Sequence, residues 1–354
     1  MRLRRILIAS ALVVSGTTIG FFLRSCFLSL RFGPVSLSRA RARTSLDCEA
    51  CALQASGAFV RRTDPLVLRL FAPAARIDVE ARKNLTLTVE NIFPESEIFI
   101  DAKSFRTAGT GLSFRLAGGA GHRIRIVPPR VPLRFMVMGD PACRTAEDVR
   151  RLVETLDAEC RRYRVSFAVL PGDLVHNSPE ALRALGESLS GMSVPVYCAP
   201  GNHDVAAACG DAYVRNIGPR ESAFSLGGCR FVFFDNADEY PPACLTPHGL
   251  VRLEGRLRNA AGPTVLVCHK PLEDPRSDGD HFMNRPSAAE MVRDLVAQTD
   301  VRLVVSGHIS GFHVRKKGAA THLICGLGTA EFAVVTVTAT GEPSIQRVLR
   351  KESE

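Results

Sequence analysis

Five short apolar runs, each followed closely by aspartate, asparagine or histidine, constrain the fold of this chain more than any other feature. Such runs are typical of buried parallel strands, and ligands in open α/β sheets gather at the carboxyl ends of the strands. The sequence therefore predicts an α/β fold in which five loops converge on one site. The runs lie at 133–138 before Gly139 and Asp140, at 167–170 before Gly172 and Asp173, ahead of 200–204, at 265–268 before His269, and at 303–306 before Gly307 and His308.

The side chains that follow these runs have the chemistry of metal ligands. They offer carboxylate, amide oxygen and imidazole, and no thiolate is well placed among them. This mixture suits Mn, Fe or Zn better than a soft metal. The pattern indicates a hydrolytic site that holds one or two divalent ions.

The order of these blocks, with Pro-Gly-Asn-His-Asp at 200–204, resembles the signature of the calcineurin-like metallophosphoesterase superfamily over about residues 131–340. Exported members related to purple acid phosphatases are the most similar. The resemblance implies a four-layer αββα sandwich of two mixed sheets, with helices such as 145–162 and 288–298 outside. It also implies a hairpin at 223–235 and a helix at 247–259 leading to the strand before His269.

The resemblance also implies roles for individual residues. Asp173 is similar to the carboxylate that bridges two metals, and Asp140 to a ligand of the first metal. His203 is similar to the histidine that contacts the phosphoryl group and protonates the leaving oxygen, with Asp204 placed to orient its imidazole. The implied reaction is hydrolysis of phosphomonoesters or phosphodiesters by a metal-activated hydroxide. The remaining ligands of the second metal are Asn202, His269 and His308.

Each assignment has a structural alternative. Asp140 and Asp173 also fit turn or N-cap positions, because aspartate often closes a strand-to-helix connection. Asn202 also fits a simple turn, and His203 also fits a buried hydrogen bond. Lys270, next to His269, fits a phosphate contact, and it fits a solvated loop residue better.

The sequence departs from the family pattern at the first metal. Ala142 and Ser310 stand where the family has histidines, which leaves Asp140 and Asp173 as the standard ligands there. His176 is a candidate replacement, because purple acid phosphatases place a metal-bound tyrosine at that position; His313 is a poorer one. Two classes of function therefore stay open, an active phosphoesterase and a degenerate, non-catalytic fold that acts as a binding or structural module.

The net charge of +9 comes almost entirely from the front of the chain. Residues 1–46 contain eight arginines and no acid, so the other 308 residues carry only +1 (9 − 8). A nucleic-acid surface would need a basic excess across the folded part. The sequence therefore gives no sign of a nucleic-acid surface, and the partner that the family resemblance implies is a phosphoester substrate.

The first 25 residues predict a signal anchor or transmembrane helix. Residues 6–23 carry no charge, and at 1.5 Å per residue a helix of that length spans roughly 27 Å, enough to cross a bilayer core. An export signal and an uncleaved anchor both fit, the anchor better. We therefore expect a protein of the bacterial cell envelope, held at the membrane by this segment or exported. Eleven cysteines are compatible with disulfides in such a protein, whereas Cys48 and Cys51 form a lone CxxC without a second pair.

The region between this segment and the apolar runs predicts a separate module. We expect a linker at 26–59. Short alternating runs with Gly, Pro and Asn between them then predict a small β-sandwich at 60–130. Pro128, Pro129 and Pro132 lead into a phosphoesterase domain at 131–345.

Overall fold

The computed structural model describes residues 30–32, 35–37, 41–206, 208–237, 247–276, 283, 286–338 and 340–350. The predicted membrane helix at 1–25 lies outside these residues. Among the described helices, none is both long enough and apolar enough to cross a membrane. Ahead of the larger unit, which begins at Arg41, β1 (Leu30–Phe32) and β2 (Val35–Leu37) pair antiparallel.

The front of the second unit consists of two sheets that enclose a common apolar core. Six strands pair in the order β10-β9-β12-β7-β4-β3, and four in the order β11-β8-β6-β5. Their buried side chains, such as Leu53, Ile77, Leu68 and Leu87, belong to one cluster. The strands are β3 (Ser45–Asp47), β4 (Cys51–Ser56), β5 (Ala58–Thr63), β6 (Leu66–Leu70), β7 (Ala75–Ala81), β8 (Leu85–Glu90), β9 (Glu97–Ile100), β10 (Lys103–Arg106), β11 (Gly111–Leu116) and β12 (Ala120–Val127).

The linker predicted at 26–59 is wrong from Ser45 onward. Strand β4 pairs with β7 along its whole length, and Cys51, Leu53 and Ala55 point into the core. The alternation of β4 is therefore real, but small residues occupy several of its positions and weaken the hydrophobic pattern. Strand β5 begins at Ala58, before the predicted boundary at 60.

Buried hydrogen bonds connect these sheets to the rest of the second unit. The Val196 amide donates to Asn91 Oδ1 at 2.8 Å, and Asn91 Nδ2 donates back to the Val196 carbonyl at 3.1 Å. Arg69, which is 1% exposed, donates to Asn91 Oδ1 at 3.2 Å. Residues 41–354 accordingly form one compact unit, so the predicted division at 130/131 stays a prediction.

The remaining strands form two mixed sheets, as predicted. A five-stranded sheet has the order β15-β14-β13-β22-β23, with β13, β14 and β15 parallel, and a six-stranded sheet has the order β16-β17-β18-β19-β21-β20. The last strand passes the predicted domain end at 345. The strands are β13 (Arg134–Val137), β14 (Phe167–Pro171), β15 (Val196–Ala199), β16 (Ser222–Leu226), β17 (Cys229–Phe233), β18 (Thr264–Val267), β19 (Val301–Ser306), β20 (Phe312–Lys317), β21 (Ala320–Cys325), β22 (Glu331–Val337) and β23 (Pro343–Leu349).

The two sheets face each other across an aromatic core. The rings of Phe135 and Phe167, on neighbouring strands of one sheet, stack with centroids 5.0 Å apart. Phe231, from the other sheet, meets both rings edge-on at 5.7 and 5.5 Å. Such edge-to-face contacts stabilise a core beyond the area that they bury. The strand ends of both sheets are thereby held in fixed positions.

Helices cover the outer faces of these sheets. Helix α1 (Ala146–Arg162) begins at a capping box of Thr145 and Asp148, and its Cys160 Sγ lies 4.0 Å from Met136 Sδ of β13. Helices α5 (Pro247–Arg258) and α6 (Pro286–Gln298) share a core cluster with β17, β18 and β19. The predicted helices and the 223–235 hairpin are confirmed within two residues at each end. The other helices are α2 (Pro179–Ser188), a 3₁₀ turn (Leu189–Gly191), α3 (Asn202–Val205) and α4 (Cys209–Asn216).

The nine cysteines in the described part of the chain are free thiols. Cys268, in the strand run before His269, is fully buried.

Candidate metal centre

The predicted ligands meet where the two sheets end. Backbone must approach backbone closely here, and glycine makes this feasible at Gly201. A methyl group at Gly201 would lie 2.0 Å from the Asp173 amide nitrogen and 2.1 Å from Asp173 Oδ1. The sequence thus uses glycine to bring the loop after β15 against the loop after β14.

His269 forms the centre of the cluster. Its ring is fully buried, and Nδ1 lies 3.0 Å from the Pro171 carbonyl. A carbonyl oxygen only accepts, so Nδ1 carries the hydrogen and Nε2 of the neutral ring has a lone pair. Nε2 lies 3.0 Å from Asn202 Oδ1 and 3.4 Å from Asp173 Oδ1. These three atoms each present a lone pair, and at such distances they repel one another unless a positive charge lies among them. A proton or a metal ion would supply that charge.

The pKa shifts within the cluster also favour a positive charge there. Burial disfavours the charged His269 ring, yet its hydrogen bond to Asp173 and the attraction of that carboxylate raise the pKa of His269 to about 9. Burial also works against the charged form of Asp173, but the bond to His269 lowers its pKa overall. The surroundings therefore favour a cation next to an ionised Asp173.

His308 completes this half of the site. Its Nδ1 lies 3.1 Å from His269 Nε2. Ligand atoms of Asp173, His269 and His308 all lie within 4.8 Å of one another, and within the described ranges these residues form the one group of histidine, cysteine and acidic side chains with that geometry. With Asn202 Oδ1, they form the donor set predicted for the second metal, and both the donor chemistry and the crowding fit a divalent ion.

Asp140 lies on the other edge of the His269 ring. Its Oδ1 is 3.7 Å from His269 Nδ1, and its Oδ2 accepts from the His308 amide at 2.8 Å. Burial raises the pKa of Asp140 to about 7, although the His269 ring opposes this shift. Oδ1 is buried and has no hydrogen-bond partner in the described part of the chain. An unpartnered buried carboxylate oxygen is the expected mark of a ligand for a cation.

The candidate replacements for the first-metal histidines lie elsewhere. His176 is exposed, and its ring stacks on that of His203 with centroids 4.3 Å apart. His313 lies on β20, where it lines a small cavity with Arg315, Lys317 and His322. Neither belongs to the Asp173, His269 and His308 group. The structure thus brings five predicted ligands to the strand ends, and a role of His176 or His313 at the first metal stays a prediction.

His203 lies beside the group, and a residue that the sequence did not single out orients it. Its Nδ1 is 3.1 Å from Asn177 Oδ1, and its amide donates to Asp173 Oδ1 at 3.0 Å. The available signal was that Asn177 lies four residues after Asp173, on the same loop. The backbone of Asn177 has φ +56°, a left-handed conformation that asparagine tolerates.

The predicted role of Asp204 is wrong. Its fully buried carboxylate accepts from the backbone amides of Gly201, Leu174 and Val175, at 2.8, 3.1 and 3.0 Å. Burial raises its pKa to about 7. Asp204 therefore joins the loop after β15 to the loop after β14, and it leaves the His203 imidazole to Asn177.

Lys270 is not a solvated loop residue, because it is fully buried. Asn236, three residues after β17, holds the backbone of this loop. Its Oδ1 accepts from the amides of His269 and Lys270, and its Nδ2 donates to the Lys270 carbonyl at 2.7 Å. Asn236 was also missed, because its partners are backbone atoms of a distant segment.

Residues 133–311 match the family model for calcineurin-like phosphoesterases. The match covers half of the chain, and the chain belongs to this family.

A probable cyclic nucleotide phosphodiesterase from Synechococcus sp. is 26% identical over 172 residues, which are 46% of this chain and 65% of that protein. The chain thus matches less than two thirds of this relative. Among solved structures, GAP50, the anchor in the inner membrane complex of Plasmodium, has a TM-score of 0.49 at 16% identity and covers 64% of this chain and 87% of its own. A dimetal phosphatase from Danio rerio has a TM-score of 0.46 at 15% identity, with 61% and 99% covered.

Proposed function

We propose that this protein is a metal-dependent phosphoesterase whose ion is held by Asp173, Asn202, His269 and His308. The observation that carries the proposal is the crowding of oxygen and nitrogen lone pairs around His269 Nε2, at 3.0 to 3.4 Å. The unpartnered Oδ1 of Asp140 supports a second position for an ion at the same strand ends. A divalent ion bound there would supply Lewis acidity toward the phosphoryl oxygen and toward water.

The chain itself would supply the proton for the leaving group. Asn177 Oδ1 accepts from Nδ1 of His203, which fixes the ring and leaves Nε2 as the atom that faces a substrate oxygen. When the imidazole is protonated, Nε2–H donates to the departing oxygen and the ring becomes neutral. The contact of the His203 amide with Asp173 keeps this ring beside the proposed ion.

Phosphodiesters are the substrate class that we propose first. The support is the Synechococcus relative, whose name describes a probable cyclic nucleotide phosphodiesterase. Phosphomonoesters should be tested as well, because the geometry around Asp173 and His203 suits either ester. A cyclic nucleotide, an aryl phosphodiester and an aryl phosphomonoester together separate the two classes.

One observation favours the alternative of a non-catalytic binding module. Ala142 and Ser310 remove two imidazoles from the first-metal side, and His176 and His313 do not join the described ligand group. A single ion at the second position would then bind a phosphate group without hydrolysing an ester.

The deciding experiment measures metal content and hydrolysis on the same preparation of the full chain. We expect at least one equivalent of Mn, Fe or Zn per chain and hydrolysis of an aryl ester with added Mn, with His269→Ala losing both. His122→Ala is the matched control, because the His122 side chain is hydrogen-bonded to Asp101 in the front sheets and not to the residues of the proposed metal centre. Metal without turnover on any ester would support the binding module, and a chain without metal affinity would refute both readings.

We also propose a location in the cell envelope, with the membrane reached through residues 1–25. The support is the uncharged run at 6–23 behind three arginines. Fractionation of cells tests this: recovery in the soluble cytoplasm, before and after removal of residues 1–25, would contradict it.

A further inference from the structure

Cys48 and Cys51 face each other across the turn between β3 and β4. The register pairs Asp47 with Ala52, so Cys48 and Cys51 are the next opposed pair, and the Cys48 amide donates to the Cys51 carbonyl at 2.9 Å. Their Sγ atoms lie 4.0 Å apart. Hydrogen-bonded cross-strand residues have Cα atoms about 5.5 Å apart, within the range that a disulfide spans. A bond between the two sulfurs therefore requires side-chain movement but no rearrangement of the strands.

The two thiols differ in access and in acidity. Cys51 is 1% exposed and packs in the core of the front sheets, whereas Cys48 is partly exposed. A backbone hydrogen bond at Cys51 lowers the pKa of Cys48, and the nearby Arg82 adds to this effect. Burial raises the pKa of Cys51 to about 11. An external reagent therefore meets the more acidic thiol first, and the second thiol is already within reach behind it.

We propose that Cys48 and Cys51 form a thiol–disulfide exchange site that reacts with low-molecular-weight disulfides. The Cys48 thiolate attacks one sulfur of the small disulfide, whose S–S bond breaks and releases one thiolate. Cys51 then loses its proton to solvent and attacks Cys48 Sγ, and the second small thiolate leaves. Two electrons pass from the protein thiols to the small disulfide, which ends as two thiols. The product is a bond that closes the hairpin at the edge strand β3.

The other described thiols lack this arrangement. Cys198 is also partly exposed, but burial raises its pKa to about 12. The other six are buried: Cys143, Cys160, Cys209, Cys229, Cys268 and Cys325. Thiolate character and access together decide reactivity, so modification should concentrate on Cys48.

The test uses the full chain in glutathione buffers of increasing oxidised-to-reduced ratio, followed by an acid quench, unfolding, alkylation and peptide mapping. Trypsin releases residues 44–61 as a peptide that contains Cys48 and Cys51 and no other cysteine. We expect this peptide to lose both alkylation sites and about two mass units as the ratio rises. The peptide with Cys198 serves as the internal control and should stay alkylated.

Single variants separate the two roles. In Cys51→Ala, which keeps an apolar side chain in the core, a glutathione adduct should accumulate on Cys48. In Cys48→Ser, the adduct on Cys51 should form at least about tenfold more slowly. Full alkylation of 44–61 at the most oxidising ratio, or equal adduct rates in the two variants, would overturn the proposal.

Discussion

The imidazole of His203 and the amide of Asn177 are joined by a 3.1 Å contact between Nδ1 and Oδ1. Asn177 follows Asp173 on the loop after β14, so one loop carries both a proposed metal ligand and the group that orients the proposed acid. This loop therefore determines how far the proposed proton donor, His203, lies from the proposed ion.

The variant Asn177→Gly tests this positioning role. Glycine accepts the left-handed backbone at this position, and it removes the side chain that carries the oxygen acceptor. For esters with poor leaving groups, kcat should fall by roughly 10- to 100-fold, because these leaving groups need a well-aligned proton donor. Nitrophenyl esters should be affected much less. A leaving-group series measured on both proteins gives the result.

Asn177→Asp is the control, since it keeps an oxygen in the same place and should retain most of the wild-type activity on poor leaving groups. Equal losses for every leaving group in Asn177→Gly would show that Asn177 does not act through the proton donor.

His176 provides a second prediction, on metal content. Because its ring stacks on His203 and lies outside the Asp173, His269 and His308 group, His176→Ala should leave the number of bound ions unchanged. Turnover should fall severalfold, because the stacked partner of His203 is lost. Metal analysis of both proteins measures the first effect. The loss of one equivalent would instead identify His176 as a first-metal ligand, as the sequence alone suggested.

Gly201 gives a steric test of the loop contact. In Gly201→Ala, the new methyl group would meet the backbone and side chain of Asp173 at 2.0 to 2.1 Å, so the loops after β14 and β15 must separate. We expect the free energy of unfolding to fall by roughly 1–3 kcal/mol and metal binding to weaken. Denaturant unfolding and metal titration measure these effects.

Gly191→Ala is the matched control for this steric test, because nothing lies within 4 Å of a methyl group there. Similar metal affinity in the Gly201 and Gly191 variants would contradict the close packing.

The sequence predicted the strand ends well, because short apolar runs determine where buried strands stop. Asp140, Asp173, Asn202, His269 and His308 could be assigned to the site for this reason. Their grouping depends on strand order, which places β13, β14 and β15 side by side. The apolar runs alone do not give the order of the strands in the sheet; only the family resemblance points to it.

The roles of Asp204 and Lys270 could not be read in the same way. Asp204 follows His203 directly, which suggested a contact between the side chains, but its carboxylate turns toward three backbone amides. Lys270 looked solvated because it is a lysine in a loop, and its burial depends on a loop that Asn236 holds from a distant segment of the chain. Backbone partners from distant segments leave no mark in local sequence.

The dependence of stability on pH gives the last prediction, and its sign follows from three raised pKa values and one lowered pKa value. Burial raises the pKa of Asp140 and of Asp204 to about 7, above the value near 4 of an unfolded aspartate. Between pH 4 and 7 the folded chain therefore binds more protons than the unfolded chain, and stability falls as pH rises. The pKa of His269, raised to about 9, extends this fall from about pH 6.5 to 9. The lowered pKa of Asp173 acts in the opposite direction only below about pH 4.

The metal-free protein should therefore unfold at a lower temperature at pH 8 than at pH 5. Added Mn should raise Tm more at pH 8, because a cation replaces the protons that His269 and Asp140 release as pH rises. Thermal unfolding with and without Mn at the two pH values measures both effects, and His269→Ala should flatten the part of the profile above pH 6.5. A metal-free Tm that rises from pH 5 to 8, or a Mn effect that is equal at both values, would show that these groups do not exchange protons for metal.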